Sequence, residues 1–216
     1  MEMFDAEVRV TPEKGLVAEF KECFNFLPLP GSFAFKDCAF KLDYDNDFLK
    51  VEVEVQDTTP INKNSGWWSW NGDSIQLGLA RRYLRKRSEN DFADFSAQAY
   101  SEYTVAKTPL GDEVCRTITW DMTRYPVDSK RAGIVDEAIA PRKVEHNGKA
   151  WKYQVSIPWE FLNIRKPEAG MTLRLAAQYN DRVPKEQDVA LHQFEGFKMK
   201  LNAPKNFGWV TIRKEP

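Results

Sequence analysis

The sequence predicts an all-β fold: an antiparallel β-sandwich, with jelly-roll or immunoglobulin-like layering and short helical turns. Three observations carry that prediction. Apolar and polar residues alternate in segment after segment, the period-two signature of half-buried strands. Clusters of Pro, Gly, Asn and Asp separate these segments at hairpin spacing. No stretch shows the 3.6-residue apolar period of a long amphipathic helix, so the sheets have mainly each other to pack against.

Taken in order, Val8 and Val10, then Leu16, Ala18 and Phe20 across Pro12 to Gly15, predict a hairpin-like opening that Pro28, Pro30 and Gly31 close. Residues 1–37 are read as N-terminal strands and extension, and 38–213 as the core of one domain spanning 1–216. The clearest hairpin joins Ala39–Tyr44 to Phe48–Val55. Val51, Val53 and Val55 share one face there, and Lys50, Glu52 and Glu54 lie on the wet one. Asp57 to Gly66 is a polar loop leading into Trp67-Trp68-Ser69-Trp70-Asn71-Gly72-Asp73-Ser74-Ile75-Gln76-Leu77, whose second half is a strand. The charged run Arg81 to Asp94 reads as a solvated loop or short helix, since Glu89, Asp91 and Asp94 follow the arginines closely. Further hairpins are expected around Pro109–Asp112 and His146-Asn147-Gly148. Pro158 ends a strand, and Trp159–Leu162 forms one helical turn after it. Leu173, Leu175, Ala177 and Tyr179 alternate, and Trp209 to Ile212 makes the last strand.

Lysine plus arginine number 31 against 32 acidic residues, a net charge of -1, which argues against nucleic acid and membrane surfaces as partners. No apolar run approaches the length of a membrane span. Cys23, Cys38 and Cys115 have neither CxxC spacing nor an even count, so no zinc site or disulfide framework is indicated. Met1 to Asp5 lacks the parts of a signal peptide, as would a piece of a secreted multidomain protein parted from its leader.

The tryptophan cluster is the candidate functional element. Neighbours on an extended segment point to opposite sides, so Trp67, Trp68 and Trp70 cannot all enter one interior, and at least one indole should face solvent or ligand. An indole face covers the apolar C–H face of a pyranose, while amides and carboxylates take its hydroxyls. The alternative is that these rings plug the end of a sandwich.

Trp70 through Leu77, then Tyr153-Gln154-Val155-Ser156-Ile157-Pro158-Trp159 with Pro167 and Gly170, then Leu173 through Asn180-Asp181 and Phe207-Gly208-Trp209-Val210, together resemble the family 9 carbohydrate-binding modules and their DOMON-like relatives. The resemblance covers roughly residues 38–213. It implies a secreted or periplasmic β-sandwich without catalytic activity, attached to a polysaccharide-degrading enzyme and holding poly- or oligosaccharide ends between two aromatic rings. By that resemblance Trp70 is the stacking ring, with Trp67 and Trp68 as walls or plugs, and Asn71, Gln76, Tyr103, Gln178, Asn180 and Phe194 complete the ligand site. Gln76 is an amide where the family has a carboxylate, and no arginine stands in the Tyr100–Ala106 strand. The second tryptophan is missing near Leu191–Phe197, where Phe194 or His192 would substitute. Asp73 is expected to anchor the strand entrance.

Other chemistries have thinner support. Asp73, Glu102, Asp121, Glu160 and Asp181 would have to supply a glycosidase's carboxyl pair. A serine hydrolase would need a motif the chain lacks. Haem between His192 and Met122 or Met199 would rest on two unconstrained residues, so no cofactor is expected. A structural calcium is the exception the resemblance brings with it. Asp43, Asp45 and Asp47, with Asn46, offer oxygens for it, or simply close a hairpin.

Overall fold

The computed structural model describes residues 8–10, 16–20, 23–25, 38–58, 62–81, 100–118, 133–168, 171–182, 189–194 and 208–212. For 8–10, 16–20, 23–25, 38–39, 189–194, 208–212 and positions 81, 100, 118 and 172 it describes the backbone alone. Thirteen strands run through these residues: β1 (Val8–Val10), β2 (Leu16–Phe20), β3 (Cys23–Asn25), β4 (Cys38–Tyr44), β5 (Phe48–Gln56), β6 (Ser74–Arg81), β7 (Tyr100–Thr108), β8 (Gly111–Ile118), β9 (Arg142–His146), β10 (Ala150–Pro158), β11 (Thr172–Arg182), β12 (Val189–Phe194) and β13 (Gly208–Ile212). They form an eight-stranded sheet ordered β1-β13-β11-β6-β7-β8, with β12 joining β11 to β3, and a five-stranded sheet ordered β2-β4-β5-β10-β9. Nearly every pairing is antiparallel, as the hairpin spacing predicts; β1 with β13 is parallel.

The inner faces follow the period-two pattern. Leu49, Val51, Val53 and Val55 of β5 and Tyr153, Val155 and Ile157 of β10 meet Ile75, Leu77 and Leu79 of β6, Val105 of β7 and Leu173, Leu175 and Ala177 of β11 in one buried core. Each such aliphatic side chain contributes roughly 1.5–3 kcal/mol by leaving water. A one-residue slip of β5 or β6 would turn every one of them outward, so the register is strongly fixed.

The hairpins at 43–48, 108–112 and 146–150 form as the turn residues dictate. Asp45 Oδ1 accepts the N–H groups of Asp47 and Phe48, and Asn147 Oδ1 accepts those of Lys149 and Ala150. After Pro158 a 3-10 turn, Trp159–Leu162, buries three of its four side chains, and the Trp159 indole donates to the Asp45 carbonyl at 2.8 Å, closing one end of the sandwich.

The opening hairpin is a correction. β1 and β2 do not pair with each other: β1 lies on β13 in the large sheet and β2 on β4 in the small one. Each covers a strand edge that would otherwise present unpaired N–H and C=O groups. β3 likewise pairs with β12. The charged run beyond Arg81 lies outside the described residues.

Candidate functional site

The tryptophans sit on a 3-10 turn, Gly66–Trp70, and not on an extended segment. With three residues per turn, residues i and i+3 share a side. Gly66 and Ser69 therefore face the sheet and are buried, and the three indoles project on the remaining two sides. Gly66 opens the turn at φ 62°, a left-handed conformation that favours glycine. Trp67 is 47% and Trp68 60% exposed, while Trp70 is half-buried. Trp68 and Trp70 lie side by side, ring centroids 6.3 Å apart and planes inclined by 34°. Trp67 and Trp68 are thus not buried plugs, because the three-residue period leaves them outside.

The turn is held from beneath. Glu113 of β8, wholly buried on the outer face of the large sheet, accepts Ser65 Oγ at 2.8 and 3.0 Å and the Gly66 N–H at 2.9 Å. Asn62 Nδ2 donates to the carbonyls of Ser69 and Asp73, and Asn64 Nδ2 to that of Asn71. A Cβ at Gly72 would stand 2.5 Å from Asn62 Cγ, so glycine is what lets this loop close on Asn62.

Beside the turn, on the same outer face, runs a row of amides. Strand alternation directs Ser74 and Gln76 of β6 and Gln178 and Asn180 of β11 away from the core that Ile75, Leu77 and Tyr179 fill. Gln178 Nε2 donates to Gln76 Oε1 and to Asn180 Oδ1, Asn180 Nδ2 donates to Ser74 Oγ, and Ser74 Oγ to the Gly72 carbonyl. The row therefore ends at the tryptophan loop. Arg182, two residues beyond Asn180 on β11, donates from Nη1 to Asn71 Oδ1 at 3.0 Å, and its backbone N–H goes to Asp73 Oδ1 at 2.8 Å. The backbone of Gln193 on β12 pairs with Gln178 in register.

The structure thus brings Trp70, Asn71, Gln76, Gln178 and Asn180 to one face. Gln76 is partly exposed there, whereas Asn180 is fully buried and braces the row from behind. Tyr103 does not join them. It pairs with Leu77, not Gln76, so alternation turns it inward, where it is 1% exposed and stacks on Phe161. Phe194 ends β12 beside Gln193, but its side chain, like that of His192, lies outside the described residues, as do Met122, Met199 and Asp121.

The carboxylates fall into two groups. Asp43 Oδ1 accepts the Tyr44 N–H, and Asp45 caps its turn and pairs with Lys50 at 2.7 Å. Burial pushes the Asp45 carboxyl up, but Lys50 and the two backbone N–H groups hold it below its ordinary range. The hairpin thus uses these side chains to close itself, and Asp47 is exposed beside them. Among the described residues the carboxylates that gather as a metal set would are Asp57, Asp73 and Asp181, all buried, with ligand atoms within 4.8 Å of one another. Tyr179 donates to Asp57 at 2.7 Å. Burial, with these carboxylates nearby, raises the Tyr153 and Tyr179 hydroxyls well above the ordinary tyrosine range. Asp73 anchors the strand entrance through the Arg182 N–H, while Glu160 is exposed on the 3-10 turn after β10.

Compared with solved structures, the chain superposes along 97% of its length on a family 9 carbohydrate-binding module from Caldicellulosiruptor kristjanssonii. That module in complex with cellotriose gives a TM-score of 0.60 at 17% identity over 95% of its chain. Its complex with glucose gives 0.61 at 17% identity over 97%. This chain has the family 9 carbohydrate-binding module fold. A candidate carbohydrate-binding protein from Bacteroides uniformis shares the fold at a TM-score of 0.55 and 10% identity, over 89% of this chain and 85% of that one. No protein-family model and no curated protein matches the chain.

On this family 9 fold, three parts of the site were missed in the sequence. Arg182 was hidden because it comes from β11 and not from β7. Glu113 looked like any charged residue of an edge strand. Asn62 and Asn64 looked like loop polarity, although an Asn-rich loop next to a Trp-rich one is a signal that side-chain amides close it.

Proposed function

We propose that this protein is a non-catalytic carbohydrate-binding module that holds a glycan against Trp70, with Gln76, Asn71 and Arg182 taking its hydroxyls and the buried Gln178 fixing Gln76 from beside it, and that it serves as a part of, or accessory to, a secreted or periplasmic polysaccharide-degrading enzyme. One observation supports this above the rest: a row of side-chain amides, locked to one another, ends at a rigidly clamped turn with solvent-exposed indoles. A ring face beside fixed donors and acceptors suits a pyranose, which has an apolar C–H face and a rim of hydroxyls. The fold shared with a module whose structures hold glucose and cellotriose adds weight.

A glycan array followed by calorimetry on its hits tests the reading, with Trp70→Ala as control. Binding in the millimolar range or tighter is expected, weakened by roughly 1–3 kcal/mol in the variant. No sugar bound at millimolar concentration, or no change on losing Trp70, contradicts it.

The sandwich could instead be an interaction domain without sugar affinity. The exposure of Trp67 and Trp68 is the observation in its favour, since large exposed indoles also mark protein contacts. For a structural calcium we place the site at Asp57, Asp73 and Asp181, whose oxygen ligands suit a hard cation. A melting temperature raised by millimolar calcium in the wild type, and not in Asp181→Asn, is the expected result.

A further inference from the structure

We propose that the site selects an acidic glycan, one in which a sugar unit beside Trp70 carries a carboxylate, and that Arg182 sets this preference. The inference rests on the sugar-binding reading above and deepens it by naming the class of sugar. Its basis is the direction of the hydrogen bonds along the amide row. A backbone carbonyl can only accept, so the Gly72 carbonyl takes the Ser74 hydroxyl proton, and Ser74 Oγ in turn accepts from Asn180 Nδ2 at 2.9 Å. That turns Asn180 Oδ1 towards Gln178 Nε2, and the same Gln178 amino group donates to Gln76 Oε1. Gln76 ends the row with its oxygen engaged, so the group it keeps for a ligand is the Nε2 amino group.

Beside the tryptophan turn the direction is fixed from the other end. A guanidinium can only donate, so Asn71 gives Oδ1 to Arg182 Nη1 at 3.0 Å and keeps its Nδ2 amino group for a ligand. Arg182 is part-exposed, and among the described residues its side chain meets that one amide and no carboxylate. Its Nε and Nη2 N–H groups, a pair spaced to match the two oxygens of a carboxylate, meet no described group. Strand alternation puts the buried Asp181 on the other side of β11, and the buried Asp73 accepts the Arg182 backbone N–H instead. Glu113 is enclosed beneath the turn with Ser65 and Gly66. Lys50 and Lys152 on the small sheet, by contrast, already meet carboxylates at 2.7 and 3.1 Å. The polar groups that accompany Trp70 are thus donors, and one of them is a cation. A sugar hydroxyl both donates and accepts, whereas a carboxylate only accepts and carries the opposite charge, so it is the group this set favours.

Calorimetry on the full chain at neutral pH and low salt tests this, with glucose against glucuronic acid, galactose against galacturonic acid, or the neutral and acidic forms of the best array hit. The acid of the preferred pair is expected to bind about tenfold tighter than its neutral partner, the worth of a charge-assisted contact. Salt at about 0.5 M should narrow that gap by screening. Arg182→Gln, which keeps a donor for Asn71 but no charge, should bring the two forms to within about twofold of each other, and Arg182→Lys should keep part of the gap. Trp70→Ala should weaken both forms alike. Each variant is read as the ratio of two ligands, which a merely structural loss would not move. Equal affinity for the two forms, a neutral form that binds tighter, or a gap unchanged in Arg182→Gln overturns the acidic preference while the sugar reading stands. Failure of wild type to bind any glycan, neutral or acidic, overturns both.

Discussion

On the outer face of the small sheet, Glu52 accepts from Gln154 and pairs with Lys152, and Lys50 with Asp45, all partly or largely exposed. On the outer face of the large sheet, Ser74, Gln178, Asn180 and Glu113 are buried and tied into fixed hydrogen bonds, while Gln76, Arg182 and the tryptophan turn are more exposed. The small sheet carries a groove of about 380 Å³ lined by Lys41, Lys50, Glu52, Gln154 and Ser156. Yet that groove has no ring in its lining to cover a sugar's apolar face, and its charges are spent on partly exposed ion pairs. The lesson is that a site for a sugar is marked by pre-ordered polar groups beside an aromatic, more than by a hollow.

The contrast can be broken by mutation. Glu113→Ala removes a buried carboxylate that satisfies a hydroxyl and a backbone N–H, and should lower unfolding free energy by about 3 kcal/mol in urea titration while releasing the tryptophan turn. An unchanged midpoint would show that the turn is held by something else. Gly72→Ala drives a methyl to 2.5 Å from the Asn62 side chain and 3.0 Å from its Cα, so a loss of roughly 1–3 kcal/mol is expected, with sugar affinity falling as the turn shifts. On the other face, Lys152→Ala breaks an exposed pair at 3.1 Å and should cost under about 0.5 kcal/mol, with no effect on binding.

A pH series sharpens the same comparison from the buried side. Burial raises the Tyr153 and Tyr179 hydroxyls well above the ordinary range and pushes the Cys115 thiol up to about 12. These groups stay neutral in the folded state while the unfolded chain ionises, so the unfolded state binds fewer protons as pH climbs. Their contribution is intact below the unfolded pKa values and is lost as pH rises, from about 8.5 for the thiol and about 10 for the tyrosines. Urea midpoints should therefore hold steady near pH 8 and fall progressively towards pH 11; a flat profile contradicts the burial of these groups.

Much of the fold was legible in the sequence because strand alternation is a local property. Val51, Val53 and Val55, or Leu173, Leu175 and Ala177, declare their inner face whatever their neighbours are. The β1–β2 connection was not legible, since which sheet a short strand joins depends on edges made by β13 and β4, distant in sequence. Gln76, Gln178 and Asn180 could be placed on one face by alternation and by family likeness. Tyr103 followed from likeness alone, and the parity of the β6–β7 register turns it inward. The tryptophan turn was misjudged as extended because the left-handed Gly66 and the clamp from Glu113, 47 residues away, carry no local period.

The central claim is that ligand meets the outer face of the large sheet at the tryptophan turn. It is tested most directly by the side-chain N–H signals of a ¹⁵N-labelled sample titrated with cellotriose or the best array glycan. The account predicts shifts of the Trp68 and Trp70 indoles and of the Gln76 and Gln178 amides, with the Gln154 amide on the small sheet unmoved. Shifts centred on Gln154, or a saturating ligand that leaves the Trp70 indole where it was, would contradict it.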